Sequence, residues 1–272
     1  MKHILALVLA TLPVAALCQE ATHPYFRGDK NHALMLGATW QKADVELAAT
    51  RNNLGGAKLA LGDLGLDNDY TSWMAEYRYR INDKWSLSIG AYTFEADGGR
   101  EVARDFNFDG VEFKAGASLD TKLGVDTYIV DVLYSVYRGE HSEVMLGGGL
   151  HAFDLSADLS ARVFIGDRES TSSSAGDSIL APLPNLRGQW LYALTPRLSL
   201  LATAGWLSAN YDEFDGEFIY GHARLHYVLG AGFGVSAGYQ FTRIDLTQEK
   251  NRGENSYELE FEGPTLQLTY SF

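Results

Sequence analysis

The chain is short of cysteine, proline and basic charge. Its 272 residues include one cysteine and six prolines, and 22 Lys and Arg stand against 35 Asp and Glu, a formal net charge of −13. A single cysteine excludes a disulfide framework and a thiolate metal site. The acidic balance disfavours nucleic acid and other anionic partners. Beyond the first twenty residues no apolar run approaches the ~18 residues that a membrane-spanning helix needs. Yet 46% of the residues are hydrophobic and 12% aromatic. That excludes wholesale disorder and suffices for one sizeable domain.

The start, "MKHILALVLATLPVAALCQE", has a basic Lys2 and His3 ahead of an apolar run from Ile4 to Leu17. This pattern predicts a secretory signal peptide, and the run is too short to span a bilayer as a helix. Ala16 and Cys18 supply small residues for cleavage after Cys18. Acylation of Cys18 is the competing reading, and the bulk of Leu17 before it opposes that. The expected organisation is a signal peptide at 1–18 and a single domain at 19–272. Removing Lys2 takes the net charge from −13 to −14.

What the chain has in quantity is period-two alternation. In "TSWMAEYRYRI", Thr71, Trp73, Ala75, Tyr77, Tyr79 and Ile81 share one side, and Ser72, Met74, Glu76, Arg78 and Arg80 the other. After "NDK", the run "WSLSIGAYTF" alternates again. Two alternating runs around a short polar break read as a β-hairpin. The unit recurs around "RGEHS", "TPR" and "GAG". Between these hairpins, polar stretches at roughly 50–69, 96–119, 155–181, 212–217 and 246–256 read as long connections. One of them, the Ser-rich "GDRESTSSSAGDS", reads as mobile. With "ALMLGATWQ" and "TLQLTYSF" at the two ends, the count is about ten strands. Long and short connections alternate strictly, so every short turn falls at one end of the sheet. The fold class expected from this is all-β: a transmembrane antiparallel β-barrel of about ten strands with short periplasmic turns and long external loops. A Greek-key sandwich has no reason to keep such an asymmetry.

Alternation alone does not say which face is wet. Three features place lipid outside. Aromatic residues gather at strand ends on the apolar face, among them Trp40, Trp73, Trp85, Tyr128, Trp190, Trp206 and Phe272. The opposite face is polar and mixes both signs of charge: Glu76, Arg78, Arg80, Asp131, His151, Arg187, Gln189, His222 and Arg224. A signal peptide supplies the export route. Buried charges must be paired, so these groups are expected to form an ion-pair lattice that plugs a narrow lumen. The alternative is a lining that selects a small anionic solute.

The layout resembles uncharacterised Gram-negative outer-membrane β-barrel proteins, small porin-like or OmpA-like barrels. The resemblance is carried by "LGDLGLDNDYTSWMAEYRYRINDKWSLSIGAY", "FDGVEFKAGASLDTKLGVDTYIVDVLYSV", "APLPNLRGQWLYALTPRLSLLATAGWLS" and "YDEFDG", from about residue 33 to the end. It implies a fold and an outer-membrane location, and carries no activity that transfers residue by residue. It also implies that Leu268, Tyr270 and Phe272 form the C-terminal signal read by the barrel-assembly machinery, with a departure at Gln267 where that pattern often has glycine. Outer-membrane lipid and lipopolysaccharide are the other expected partners.

Some outer-membrane barrels are enzymes acting on peptides or lipid A at the rim. The candidates for such chemistry here are His151 and Asp154 in "HAFD", and Asp212 and Asp215 in "YDEFDG". A general base must reach its proton donor within hydrogen-bond distance, and His151 and Asp154 have opposite parity. His222 and His226, four apart on a strand, sit ~13 Å from one another, too far for one metal. "GGG" at 147–149 lacks the lysine and helix of a phosphate loop and reads as small residues in a crowded wall. The acidic clusters "DNDY" and "DEFDGE" read as solvated loops without the spacing of a calcium site. The expectation is therefore no catalytic residue, no metal, no cofactor and no enzymatic activity. The expected role is structural, adhesive or ligand-binding through the external loops, with a narrow channel and a barrel enzyme as the alternatives.

Overall fold

The computed structural model describes residues 30–51, 58–108, 111–165, 168–211, 214–250 and 253–272. The expected signal peptide, with Cys18, lies outside the described residues, as does Asp212. In chain order the elements are β1 (His32–Arg51), β2 (Leu59–Ala60), α1 (Leu61–Leu64), β3 (Asp69–Arg80), β4 (Trp85–Glu101), β5 (Phe106–Phe108), β6 (Val111–Phe113), β7 (Ser118–Arg138), β8 (Ser142–Ile165), β9 (Arg168–Ala193), β10 (Leu198–Tyr211), β11 (Phe214–Gly230), β12 (Phe233–Lys250) and β13 (Gly253–Ser271).

Ten of these strands form one antiparallel ring in the order β13-β12-β11-β10-β9-β8-β7-β4-β3-β1, and β13 pairs back onto β1. The closing register sets Leu36 opposite Leu268 and Leu34 opposite Tyr270. Closure leaves no free edge, which is what a sheet in hydrocarbon requires. The short turns follow from local chemistry. The Asn82 side-chain oxygen accepts the backbone N–H groups of Lys84 and Trp85 at 2.9 and 3.0 Å, and Thr195 Oγ1 accepts that of Leu198 at 2.9 Å. Such side-chain caps close tight turns where "NDK" and "TPR" break the alternation.

The fold class agrees with the sequence, but the strand boundaries move. Much of 155–181 and of 246–256 belongs to strands. From Arg168 onward the Ser-rich stretch read as mobile belongs to a paired strand, with Ser173 opposite Ala161 and Ser174 opposite Ser160. β8 ends at Ile165 and β9 begins at Arg168, so the two make one tall hairpin. β9 has 26 residues and β8 has 24, whereas crossing the hydrocarbon takes about 9–11 tilted residues. The wall is therefore about twice as tall as the membrane requires.

The surplus height explains why composition misled the boundaries. Along β1 the outward residues are Leu34, Leu36 and Trp40, then Lys42, Asp44 and Glu46, while the inward ones change from Thr39 and Gln41 to Ala43, Val45 and Leu47. β8 does the same: Leu150 faces out, then Asp154, Ser156 and Asp158, while His151 gives way inside to Phe153, Leu155 and Leu159. β13 repeats the change on both faces, with Glu262, Glu260 and Glu258 outside and Phe261, Leu259 and Tyr257 inside. Below the aromatic ring at Trp40, Trp73, Tyr128 and Trp206 the wall is apolar outside and polar inside. Above it the sense inverts, because there the wall meets water and obeys the rule for soluble proteins. Stretches with polar residues at every second position were strands of this outer storey.

A cap covers the outer end. Leu59, Leu61, Leu64 and Leu66, from the connection carrying β2 and α1, are buried in the same apolar core as Val102, Phe108 and Phe113 from the connection carrying β5 and β6. The rings of Phe106 and Phe113 stack at 4.8 Å. Gly65 ends α1 in the left-handed conformation (φ 74°) and lies against β4. A Cβ on Gly98 would stand 2.2 Å from the Gly65 carbonyl oxygen, so both positions need glycine. This is the structural role of the Asp-Leu-Gly-Leu-Asp element at 63–67.

Candidate functional site: the barrel lumen

Strand alternation aims every second side chain of the lower storey into the lumen. Because those side chains leave water, they must satisfy one another. The Glu76 carboxylate accepts from Arg78 Nε at 2.8 Å, from Ser88 Oγ at 2.6 Å and from Arg187 Nη2 at 3.4 Å. Arg187 Nη1 donates to Asp131 Oδ2 at 2.7 Å, and Arg78 Nη1 to Gln189 Oε1 at 3.1 Å. Asp131 is fully buried. Its other oxygen lies 3.4 Å from the Asn185 amide and 3.4 Å from His151 Nε2. Glu76 and Arg187 are 111 residues apart in the chain and meet only because the ring closes.

Toward the turn end, Arg80 and Arg138 share one carboxylate, Glu143, at 3.1 and 2.8 Å. Toward the closing strand, Arg224 donates to Gln267 Oε1 at 2.7 Å, and Gln267 Nε2 lies 3.0 Å from Met74 Sδ. Gln267 thus fills lumen space. His222 contacts Thr265 Oγ1 at 3.0 Å and His226 contacts Ser236 Oγ at 2.8 Å. The two histidines have separate partners. Among the described residues, no group of three or more His, Cys, Asp or Glu converges to hold a metal ion.

The structure therefore joins Glu76, Arg78, Asp131, His151, Arg187 and Gln189 in one network. Arg80 sits in a second cluster, and Arg224 and His222 bond to β13. Sequence reasoning missed Glu143, Asn185 and Ser88. The signal for Glu143 was present: it shares the odd parity of Met145, Gly147, Gly149 and His151 along β8. A Cβ on Gly147 or Gly149 would lie 1.9 Å from a β7 carbonyl oxygen, so the "GGG" stretch lets two strands approach closely.

His151 and Asp154 are not a rim pair. His151 is 1% exposed in the lumen, packed near Phe153, Phe218 and Tyr220. Asp154 stands on the outer wall. Leu266, Leu268, Tyr270 and Phe272 are exposed on the lipid face, with the Tyr270 ring 4.7 Å from Phe233 and 5.6 Å from Phe272.

No protein-family model matches the chain, and no curated protein sequence matches it. Solved structures do. The outer-membrane protease OmpT from Escherichia coli aligns over 91% of this chain and 98% of its own, with a TM-score of 0.58 at 12% identity. The fold is that of an outer-membrane β-barrel. Fainter likenesses reach the translocator domain of the autotransporter NalP from Neisseria meningitidis (TM-score 0.45, 10% identity, 88% of each chain) and Ail of Yersinia pestis (TM-score 0.36, 12% identity, 89% and 99%). The expectation of no enzymatic activity is corrected by the first of these. A protease is built on this architecture, so the architecture gives no ground for excluding catalysis.

Proposed function

We propose that this chain is a non-conducting barrel of the Gram-negative outer membrane that works at the cell surface, through the wall and cap standing beyond the lipid. The observation that carries this reading is the two-storey interior. Ion pairs fill the lower storey, and apolar side chains from Ala43 to Phe261 fill the upper one beneath the cap. Such a filling opposes the channel alternative, since a water-filled path needs a polar lining along its whole length. The outer wall carries Asp44, Glu46, Asp154, Asp158, Glu258 and Glu260, with Lys58 bonded to Glu258 at 2.7 Å. An acidic wall in water favours cationic partners and attracts them at long range. An adhesive or ligand-binding role follows from that surface.

In this reading residues 1–18 direct export and are removed. The lipid-facing band meets phospholipid and lipopolysaccharide. Leu268, Tyr270 and Phe272 present the signal to the barrel-assembly machinery. Planar-bilayer recording on the refolded protein tests it: no step conductance is expected, and stable ion-conducting steps would overturn it. Replacing Asp44, Glu46, Glu258 and Glu260 with Asn or Gln, with the fold intact, is expected to reduce adhesion of whole cells to a cationic surface.

A further inference from the structure

The two storeys do not meet flush. Between the ion-pair lattice and the apolar fill lies a cavity of about 130 Å³. An apolar cavity of about 150 Å³ holds a benzene molecule; this one, slightly smaller, matches the size of one ring, and a group attached to that ring would have to seat among the polar side chains of its wall. Its wall has two characters. Phe153, Phe218, Ile244 and Phe261 bound it on the outer side. Arg187, Arg224, His151 and Glu76 bound it on the turn side. Arg187, Arg224 and, behind them, Arg78 stand against Glu76 and Asp131, a local balance of one positive charge inside a chain whose net charge is −13.

Among the described residues, three polar atoms of that wall lack hydrogen-bond partners: Tyr220 Oη, Arg187 Nε and His151 Nδ1, the last a donor or an acceptor according to its tautomer. Arg187 and His151 are 8% and 1% exposed. A buried donor left unsatisfied costs about 1–3 kcal/mol, more when charged. A ligand with a carboxylate at one end and a ring at the other would meet both halves of the wall. Its oxygens would accept from Arg187 and lie beside His151, and its ring would pack against Phe218 and Phe261, where aromatic pairs favour offset or edge contacts.

We propose that this cavity is a binding site for a small aromatic carboxylate of benzoate size. The site is distinct from the acidic outer wall. Isothermal titration of the refolded barrel with benzoate tests it, with benzyl alcohol and acetate as the probes that carry the ring or the charge alone. One-site saturable binding of benzoate is expected, with each control weaker by at least about tenfold. Gly90→Leu supplies the second arm. Gly90 faces the cavity, and a Cβ there would meet Ala75 O at 3.4 Å and nothing nearer, so the backbone accepts a side chain that then occupies the space. This variant leaves every charged group in place and is expected to fold and to lose benzoate binding by at least about tenfold. Absence of benzoate binding to the wild-type barrel overturns the proposal. So does equal binding of acetate or benzyl alcohol, or unchanged benzoate binding in Gly90→Leu.

Discussion

Substitutions along β1 separate the two storeys on a single strand. Leu36 is 52% exposed on the lipid face. It lies four residues below Trp40, and at ~3.3 Å per residue and a tilt of ~40° this puts it ~10 Å beneath the aromatic ring. In an apolar band ~25 Å tall that is close to the midplane, where arginine costs ~2–4 kcal/mol. Asp44 is on the same face of the same strand but above the ring. Asp44→Arg stands in water and is expected to change stability by no more than about 0.5 kcal/mol. Leu47, on the opposite face, is 1% exposed within the upper apolar core. Leu47→Ala is expected to cost about 2–5 kcal/mol through lost transfer energy and the cavity left behind. The assay is guanidinium unfolding of each variant refolded in lipid vesicles, followed by tryptophan fluorescence and heat-modifiable gel migration. Equal penalties for arginine at Leu36 and Asp44 would refute the position of the lipid boundary. A neutral Leu47→Ala would refute the apolar filling above it.

Other expectations concern the lattice and the cap. Glu76→Ala leaves Arg78 and Arg187 without their shared carboxylate and is expected to destabilise by about 3–5 kcal/mol. In a double-mutant cycle with Arg187→Met the combined loss should be smaller than the sum of the single losses. Gly98→Ala is expected to displace the 58–68 connection while the barrel stays closed, read as faster protease cleavage there with unchanged gel migration. Asp105, outside the membrane, is held below the ordinary aspartate range by the N–H of Ala115 at 2.8 Å and by Lys114. A lowered folded-state pKa means stabilisation that is present above the unfolded aspartate range and lost as pH falls through the folded value. Hydrogen exchange across β5 and β6 should therefore quicken at pH below the ordinary aspartate range, with the ring strands unaffected.

The lower storey was legible because its alternation, aromatic ends and short turns come from local rules of strand geometry. "TSWMAEYRYRI", "NDK" and "PTLQLTYSF" occupy the places their patterns imply. The upper storey is equally regular, in "ADVELA" and "LSADLSA", but with the opposite sense of alternation. Polar residues at every second position of "LSADLSA" read as loop under the rule of the lower storey, whereas they mark the point where water replaces lipid. The pairing inside the lumen was only half legible. Parity shows which side chains point inward, as it does for Glu76, Asp131 and Arg187. Which of them meet depends on the stagger of the closed ring, and no local pattern encodes that. Glu143 directly follows the "RGEHS" break, and at a turn a charge needs no partner, so the sequence alone gives no sign of its ion pairs.

The position of the water boundary is tested most directly by labelling single cysteines on intact cells with a membrane-impermeant maleimide, the one native cysteine, Cys18, leaving with the signal peptide in this reading. Asp44→Cys and Asp158→Cys, outward in the upper storey, are expected to label. Leu36→Cys and Leu150→Cys, outward in the lower storey, are not, and neither are Val45→Cys and Leu155→Cys, which point into the apolar fill. Labelling at Val45 and Leu155 with protection at Asp44 and Asp158 would contradict the inverted upper storey and the surface role built on it.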